Sequence, residues 1–177
     1  MGLWTQWRAQ RERSRRAAHY LDRLLRAPQP DDIAWIASLG VAESIAAREL
    51  TFAKRAIVLM VAERDALDDR TASDVARQLA PVISREAKMS ADLGREWGER
   101  WRAYTAALAV RGSVEAPATR LARVLVVAAG ISDPSSGQLQ RAVEFVLDTR
   151  AAANGALRDA FGAASLPDDI RPSALQS

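Results

Sequence analysis

The side chains that most often carry out catalysis or bind metals are scarce in this sequence. His19 is the only histidine, and there is no cysteine. A zinc site with three nitrogen or sulfur ligands therefore lacks ligands, and a di-iron site with two Glu-x-x-His motifs lacks histidines. No Gly-x-Gly-x-x-Gly, P-loop or Gly-x-Ser-x-Gly motif occurs. We predict a protein that is not an enzyme and uses no metal or cofactor, with His19 as a polar packing residue. Catalysis by carboxylates alone is the alternative.

The densest group of carboxylates follows the most apolar stretch of the chain. It consists of Glu63, Asp65, Asp68, Asp69 and Asp74. Oxygen ligands of this kind suit Mg²⁺ or Ca²⁺, but the spacing matches no EF-hand loop, and no glycine supplies the sharp turn of such a loop. Because Arg64 and Arg70 are interleaved with these carboxylates, we predict ordinary ion pairs on an exposed surface.

Five apolar or aromatic residues recur at spacings of three and four, which places them on one face of a helix. They are Leu93, Trp97, Trp101, Tyr104 and Leu108. Gly94 and Gly98 border this face and would let a second helix approach closely. We predict an aromatic seam in the core. The alternatives are a groove for a partner protein, or a pocket for a small apolar ligand lined by Trp97, Trp101 and Tyr104. The charged residues on the other side of the helix are predicted to be exposed, namely Glu96, Glu99, Arg100 and Arg102.

The N-terminal segment combines two tryptophans with a series of arginines. Its candidate binding residues are Trp4, Trp7, Arg8, Arg11, Arg15 and Arg16. Tryptophan beside arginine is typical of an anchor at a membrane surface. The same arginines could bind the phosphates of nucleic acid or an acidic protein surface. Because the stretch 8–16 has almost nothing to bury, we predict that this half of the segment projects or docks elsewhere. The competing interpretation is that both tryptophans close the end of the fold above a solvated arginine face.

The charge of the chain is distributed unevenly. The net charge is +3, whereas residues 1–27 alone carry +5. A basic arm on a mildly acidic body suggests an anionic partner for the arm. Lys54 and Lys88 are the only lysines. A GC-rich bacterial genome explains this preference for arginine, and selection for guanidinium contacts with phosphate or carboxylate is the alternative. No signal peptide and no apolar run of membrane-spanning length are recognisable. We therefore predict a cytoplasmic protein, free or peripheral to a membrane or a larger complex.

The apolar periodicity predicts helices along the chain, and the most apolar of them is central. Residues 41–68 begin as an amphipathic pattern and continue into a run that is apolar on all sides, residues 56–62. This pattern favours a long helix whose second half is enclosed by neighbouring helices. An earlier helix is predicted over residues 3–26, and it is ended by Pro28 and Pro30.

Two further helix starts are predicted from capping residues. Asp31 and Asp32 are placed to cap a short helix over residues 33–39, which Gly40 would end. The sequence of residues 71–74, Thr-Ala-Ser-Asp, has the spacing of a capping box and should open the helix that follows the central one.

Proline and glycine mark the remaining helices. Pro81 should kink or break the helix that begins near residue 72, because proline removes a backbone hydrogen bond. The helical pattern then resumes over residues 82–110 and stops at Gly112. A further helix should begin at Pro117 and end before Gly130.

The last helix and the tail complete the prediction. Residues 133–136, Asp-Pro-Ser-Ser, signal another helix start, and the apolar pattern continues to Phe161. Residues 165–177 are polar and contain two prolines, so we predict a loose tail there. The domain organisation is then a basic N-terminal helix at 1–27, a helical domain at 31–164 and the tail.

The sequence as a whole predicts an all-α fold. We expect a bundle of five to six helices, in which the long central helix and the proline-broken long helix form the longest antiparallel pair. The leading hypothesis for function is a non-enzymatic accessory or scaffold protein that binds a partner complex or an anionic membrane through its basic arm and helix faces. The alternatives are a domain that binds a small apolar ligand, and nucleic-acid binding through the arm, although no basic recognition helix is recognisable.

Overall fold

The computed structural model describes residues 3–65, 69–110 and 113–161. These residues form seven α-helices and no strand: α1 (Leu3–Leu24), α2 (Pro30–Ser38), α3 (Glu43–Asp65), α4 (Asp69–Met89), α5 (Ala91–Ala109), α6 (Pro117–Ala128) and α7 (Ser136–Phe161). The all-helical class predicted from the sequence is confirmed. The predicted tail at 165–177 and the predicted stop at Gly112 lie outside the described residues.

Helix α3 lies at the centre of the fold. It contacts α2, α4, α5, α6 and α7, and all residues from 56 to 62 are buried. Because neighbours cover this run on every side, it needs no polar face. The central helix was predicted to form the longest antiparallel pair with the long segment that follows it. Helix α3 does contact α4 and α5, but these are not its most extensive contacts. Helix α3 packs most extensively on α7, whereas α4 packs mainly on α1.

Several helix boundaries fall where the sequence signals place them. Helix α6 begins with Pro117 in its first turn, and the residue Gly130 that follows its end has a φ of +101°, a conformation that favours glycine. At the start of α7, the backbone N–H of Gln138 donates to Ser135 Oγ at 3.3 Å, and the side chain of Gln138 accepts from the N–H of Ser135 at 2.8 Å. This reciprocal pair is a capping box. The predicted continuation of α7 to Phe161 is confirmed.

The start of α2 differs from the prediction. The helix begins at Pro30, after an extended Gln29 whose side chain makes no capping hydrogen bond. Asp31 and Asp32 therefore lie inside the first turn and do not cap the helix. Proline suits this position because the first N–H of a helix has no acceptor within the helix. The two carboxylates still stabilise the helix, because they lie near its partially positive N-terminus. Asp32 also accepts a hydrogen bond from Arg141 at 3.0 Å, which links α2 to α7.

One prediction about the segment after α3 is wrong, and one alternative of a second is excluded. Residues 71–74 do not cap a helix, because α4 already begins at Asp69 and Thr71 is buried within it. The predicted break at Pro81 is absent, because α4 continues through this residue to Met89. The alternative, a kink at Pro81, stays a prediction. Pro81 is exposed, so water can hydrogen-bond to the carbonyl group that loses its helical donor.

The break falls at Ser90, and the predicted helix over 82–110 is therefore two helices. Ser90 is extended, with φ −151° and ψ 116°, and it is the N-cap of α5. Its Oγ accepts a hydrogen bond from the N–H of Leu93 at 3.5 Å. Serine is a favourable N-cap because its side chain satisfies an N–H that has no helical acceptor.

The two glycines of α5 are expected to respond oppositely to substitution by alanine. At Gly94 an added Cβ would lie 2.8 Å from the Cβ of Ala87, whereas at Gly98 it would meet nothing within 4 Å. Gly94→Ala should lower stability by about 1 kcal/mol because of overpacking. Gly98→Ala should raise it by about 0.5–1 kcal/mol because alanine loses less backbone entropy in a helix. Urea denaturation of both variants measures the difference, and equal stability would contradict the close approach of α4 and α5 at Gly94.

Candidate functional site

Helix α1 is attached to the body of the protein by one of its faces. Ala17, Tyr20, Leu21 and Leu24 are buried against α4 and α7, the helices on which α1 packs most extensively. The hydroxyl group of Tyr20 donates to the carbonyl oxygen of Val58 in α3 at 3.0 Å. This buried hydrogen bond and the apolar stripe together hold the second half of α1.

The arginine-rich stretch 8–16 of α1 is attached as well, but by polar contacts. The side chain of Gln10 lies 3.4 Å from Asp74, and Arg13 pairs with the same carboxylate at 3.5 Å. Gln78 donates to Ser14 Oγ at 2.6 Å. The prediction that this stretch projects or docks elsewhere is therefore wrong, because polar side chains replace the missing apolar contacts.

Asp74, a member of the predicted acidic surface cluster, is instead a buried partner of α1. Its side chain is 5% exposed, and it also accepts from Arg77 one turn further along α4 at 3.1 Å. Glu63 is exposed, and the side chains of Asp65, Asp68 and Asp69 lie outside the described part of the chain. Within that part, no group of three or more histidine or acidic side chains is placed to hold a metal ion.

The opposite face of α1 points to solvent and carries the tryptophans. Trp4 is 73% exposed and Trp7 is 53% exposed, so these side chains do not close the end of the fold. Their ring centroids lie 5.9 Å apart in an edge-to-face arrangement, and the guanidinium group of Arg11 lies 5.1 Å from the centroid of Trp7. These contacts hold the two exposed tryptophans and Arg11 together as one group.

Arginines continue the same surface along the helix. Arg8, Arg11 and Arg15 share a side of the helix with Trp4, since their spacing follows the helical period, and all are exposed together with Arg16. We call this surface, formed by Trp4, Trp7, Arg8, Arg11, Arg15 and Arg16, the outward face of α1. The structure thus brings together all six N-terminal residues singled out in the sequence.

The outward face borders an open concavity of about 900 Å³ between α1 and the C-terminal end of α7. Its wall contains the four arginines, Trp7 and His19, together with Glu12 and Asp159. His19 is exposed, not a packing residue. Glu12 pairs with Arg16 at 2.6 Å, while Arg8 and Arg15 form no ion pair with any described residue. The concavity therefore has an excess of positive charge that a negative ligand would balance.

The aromatic residues of α5 form part of the interior. Tyr104 is fully buried, and desolvation by burial raises the pKa of its hydroxyl group. Trp97 and Trp101 are half-buried and stacked, with ring centroids 6.1 Å apart. Phe52 of α3 lies 5.7 Å from Trp97. Leu93 and Leu108, at the two ends of this face, are half-buried. These contacts describe an aromatic seam between α3 and α5.

Beside this seam lies a group of four charges, two of which, Glu96 and Arg100, were predicted to be exposed but are half-buried. The carboxylate of Glu49 is completely buried and receives two hydrogen bonds from Arg100, at 2.7 and 3.0 Å. Arg48 lies 3.9 Å from Glu49 and 3.1 Å from Glu96. The hydrogen bond with Glu49 raises the pKa of Arg100. The four charges balance, so the group joins α3 to α5 without leaving a net buried charge.

A second ion pair joins α3 to α4. Arg55, which is 7% exposed, makes two hydrogen bonds to the carboxylate of Glu86, at 2.5 and 2.7 Å. These hydrogen bonds lower the pKa of Glu86. Such bidentate arginine–carboxylate pairs fix the geometry of the elements that they connect. Every charge in these groups is paired with another side chain of the protein, so we assign both charge groups to structure and not to ligand binding.

The fold and the outward face of α1 define an all-helical protein with a basic, tryptophan-bearing surface. Comparison with protein-family models, curated proteins and solved structures gives no match to this chain. None of the helices in the described ranges is long and apolar enough to cross a membrane. Function must therefore be inferred from the residues themselves.

Proposed function

We propose that this protein is a non-enzymatic helical accessory protein that attaches to an anionic surface through the outward face of α1. The anionic surface is an acidic face of a partner complex or the headgroup layer of a membrane. The remaining helices act in this proposal as a bundle that holds α1 in place. The corresponding location is the cytoplasm, peripheral to the membrane or within the complex.

The observation that supports this proposal is that α1 has two faces with different contacts. The inner face is held by Tyr20 and by the polar contacts to Asp74, so the outward face is not needed for packing. Trp4 and Trp7 nevertheless expose large aromatic surfaces there. Tryptophan and arginine are the residues most enriched in the energetically dominant positions of protein interfaces, and tryptophan is also favoured at membrane interfaces.

The charge of the outward face supports an anionic partner. Arg8 and Arg15 can bind an anion without first breaking an ion pair within the described part of the protein. A guanidinium group offers parallel N–H donors to carboxylate or phosphate oxygens. Each basic residue near an anionic membrane contributes roughly 1 kcal/mol. Arg8, Arg11 and Arg15 would together contribute about 3 kcal/mol, to which Trp4 and Trp7 add apolar contact.

Charge reversal tests this proposal better than deletion does. Deleting residues 1–16 would also remove Gln10, Arg13 and Ser14, which contact α4. The test variant is therefore Arg8→Glu, Arg11→Glu, Arg15→Glu. The matched control carries the same change of charge at three exposed arginines elsewhere, Arg85, Arg95 and Arg102. A melting temperature of the test variant equal to those of the control and of wild type would show that the outward face is not required for folding.

Fractionation of native cells is the measurement. Wild type and the control variant are expected to sediment with membranes or with a protein complex and to be released by high salt. The test variant should remain in the supernatant, because its affinity should fall at least about 100-fold. If the test variant sediments like wild type, or if wild type is found alone, the proposal is wrong. Release by nuclease instead of salt would assign the arginines to nucleic-acid binding.

A further inference from the structure

A cavity at the junction of α3, α5, α6 and α7 is separate from the outward face of α1. Its volume is about 50 Å³, several times what one water molecule requires. Six apolar residues form its wall: Ile57, Met60, Val61, Leu108, Leu121 and Val146. All of them are buried except the half-buried Leu108. The cavity therefore reaches the hydrophobic core and offers apolar contacts to a ligand.

Two arginines lie at the mouth of this cavity. Arg64 and Arg150 belong to its lining and are exposed, as is Pro117. The helical spacing explains their position, because Arg64 lies one turn beyond Met60 and Val61, and Arg150 one turn beyond Val146. Neither arginine forms an ion pair with any described residue. Among the described residues, no carboxylate therefore competes with a negative group of a ligand for these two arginines.

The start of α6 adds partial positive charge at the same place. Pro117 and Ala118 of its first turn line the cavity, and the N-cap residue Ala116 has no side chain that could accept a hydrogen bond. The N–H groups of a first turn have no acceptor within the helix, and they carry the positive end of the helix dipole. An anion held between the two arginines would also be stabilised by this helix end.

We propose that this cavity binds a small amphiphilic anion, a carboxylate with a short aliphatic chain. The chain would lie on Met60, Leu121 and Val146, and the carboxylate would lie between Arg64 and Arg150. The unbranched side chain of Met60 can adjust to chains of different length. This site does not depend on the proposed function of α1, because the two share no residue.

The test uses short carboxylates of increasing length, with matched neutral and cationic compounds. Binding of butyrate, hexanoate and octanoate to the full chain is measured by isothermal titration calorimetry, with hexanol and hexylamine as controls. Affinity should rise about fourfold for each added methylene group until the cavity is full, because each buried methylene adds a constant hydrophobic contribution. Hexanoate should bind more tightly than hexanol, and hexylamine should bind least.

Two variants locate the binding. Arg64→Gln with Arg150→Gln should make hexanoate bind no more tightly than hexanol, whereas the same change at Arg102 and Arg158, two exposed arginines outside the cavity, should have no effect. Ala118→Leu should fill the cavity and weaken all three carboxylates. The proposal is overturned if no compound binds at millimolar concentration, if hexylamine binds as well as hexanoate, or if the double glutamine variant keeps the preference for the carboxylate.

Discussion

Replacing Glu49 by alanine is expected to destabilise the fold by about 3 kcal/mol, which corresponds to a fall in melting temperature of about 6–12 °C for a chain of this size. The carboxylate of Glu49 is completely buried and holds Arg100 by two hydrogen bonds. Its removal leaves the guanidinium group without its principal partner. Since 23% of the Arg100 side chain is exposed, water can compensate in part, and the expected cost is at the lower end for a broken buried pair.

Matched variants separate the loss of an ion pair from the loss of a side chain. Glu63→Ala removes an exposed carboxylate from the same helix and should change stability by less than about 0.5 kcal/mol. The double variant Glu49→Leu, Arg100→Met replaces the pair by apolar groups and should recover most of the lost stability, because neither charge is then left unpaired. Thermal unfolding followed by circular dichroism measures all three. If Glu49→Ala is as stable as Glu63→Ala, the ion pair is not a stabilising contact.

Replacing Tyr20 by alanine is expected to cost about 3–5 kcal/mol, the range for truncating a buried aromatic residue. Tyr20 is fully buried and donates a hydrogen bond to Val58 in α3. Tyr20→Phe should cost only about 1 kcal/mol, because it removes the hydrogen bond but keeps the ring. Denaturant unfolding gives the free energies, and the difference between the two variants measures the packing of the ring.

His19 provides the control for this experiment. It is the neighbour of Tyr20 in sequence but lies on the exposed side of α1, so His19→Ala should change stability by less than about 0.5 kcal/mol. A large effect at Tyr20 beside a small one at His19 would establish that α1 is an integral part of the fold. If Tyr20→Ala is also harmless, the docking of α1 does not stabilise the fold.

The sequence was most informative where a single residue type imposes a local geometry. Proline at 117, glycine at 130 and the start signal at residues 133–136 each correspond to a helix boundary in the structure. The apolar run at 56–62 identified the central helix, because only a helix covered on all sides can be apolar throughout. These predictions depend on neighbouring residues alone, and that is why they were correct.

The prediction was wrong where two local signals compete. Pro81 is a stronger signal for a break than Ser90, yet the helix continues through Pro81 and ends before Ser90. The energetic cost of a proline depends on whether water reaches the freed carbonyl group, which the sequence does not reveal. At Ser90 the capping serine and the close approach of Gly94 to Ala87 favour the break together. The contact between Gly94 and Ala87 joins two helices, so the local sequence does not reveal it.

Polar residues with distant partners were the main omission in the candidate sites. Glu49 and Arg100 are separated by 51 positions, and in a helical pattern each resembles an ordinary surface charge. Gln10 and Asp74 are 64 positions apart and were missed for the same reason. By contrast, the outward face of α1 could be read from the sequence, because Trp4, Arg8, Arg11 and Arg15 follow one helical period. A pattern identifies which residues share a face, but only the fold identifies what that face meets.

The inner face of α1 packs on the bundle, so attachment through the outward face, as proposed, would be linked to folding. A partner that binds the outward face binds only when α1 is helical and docked, so it stabilises the native state by mass action. Where α1 opens locally in the free protein, its amide protons would then exchange more slowly with solvent in the complex. The protein would consequently be most resistant to proteolysis at its place of attachment, and its lifetime in the cell would depend on the abundance of its partner.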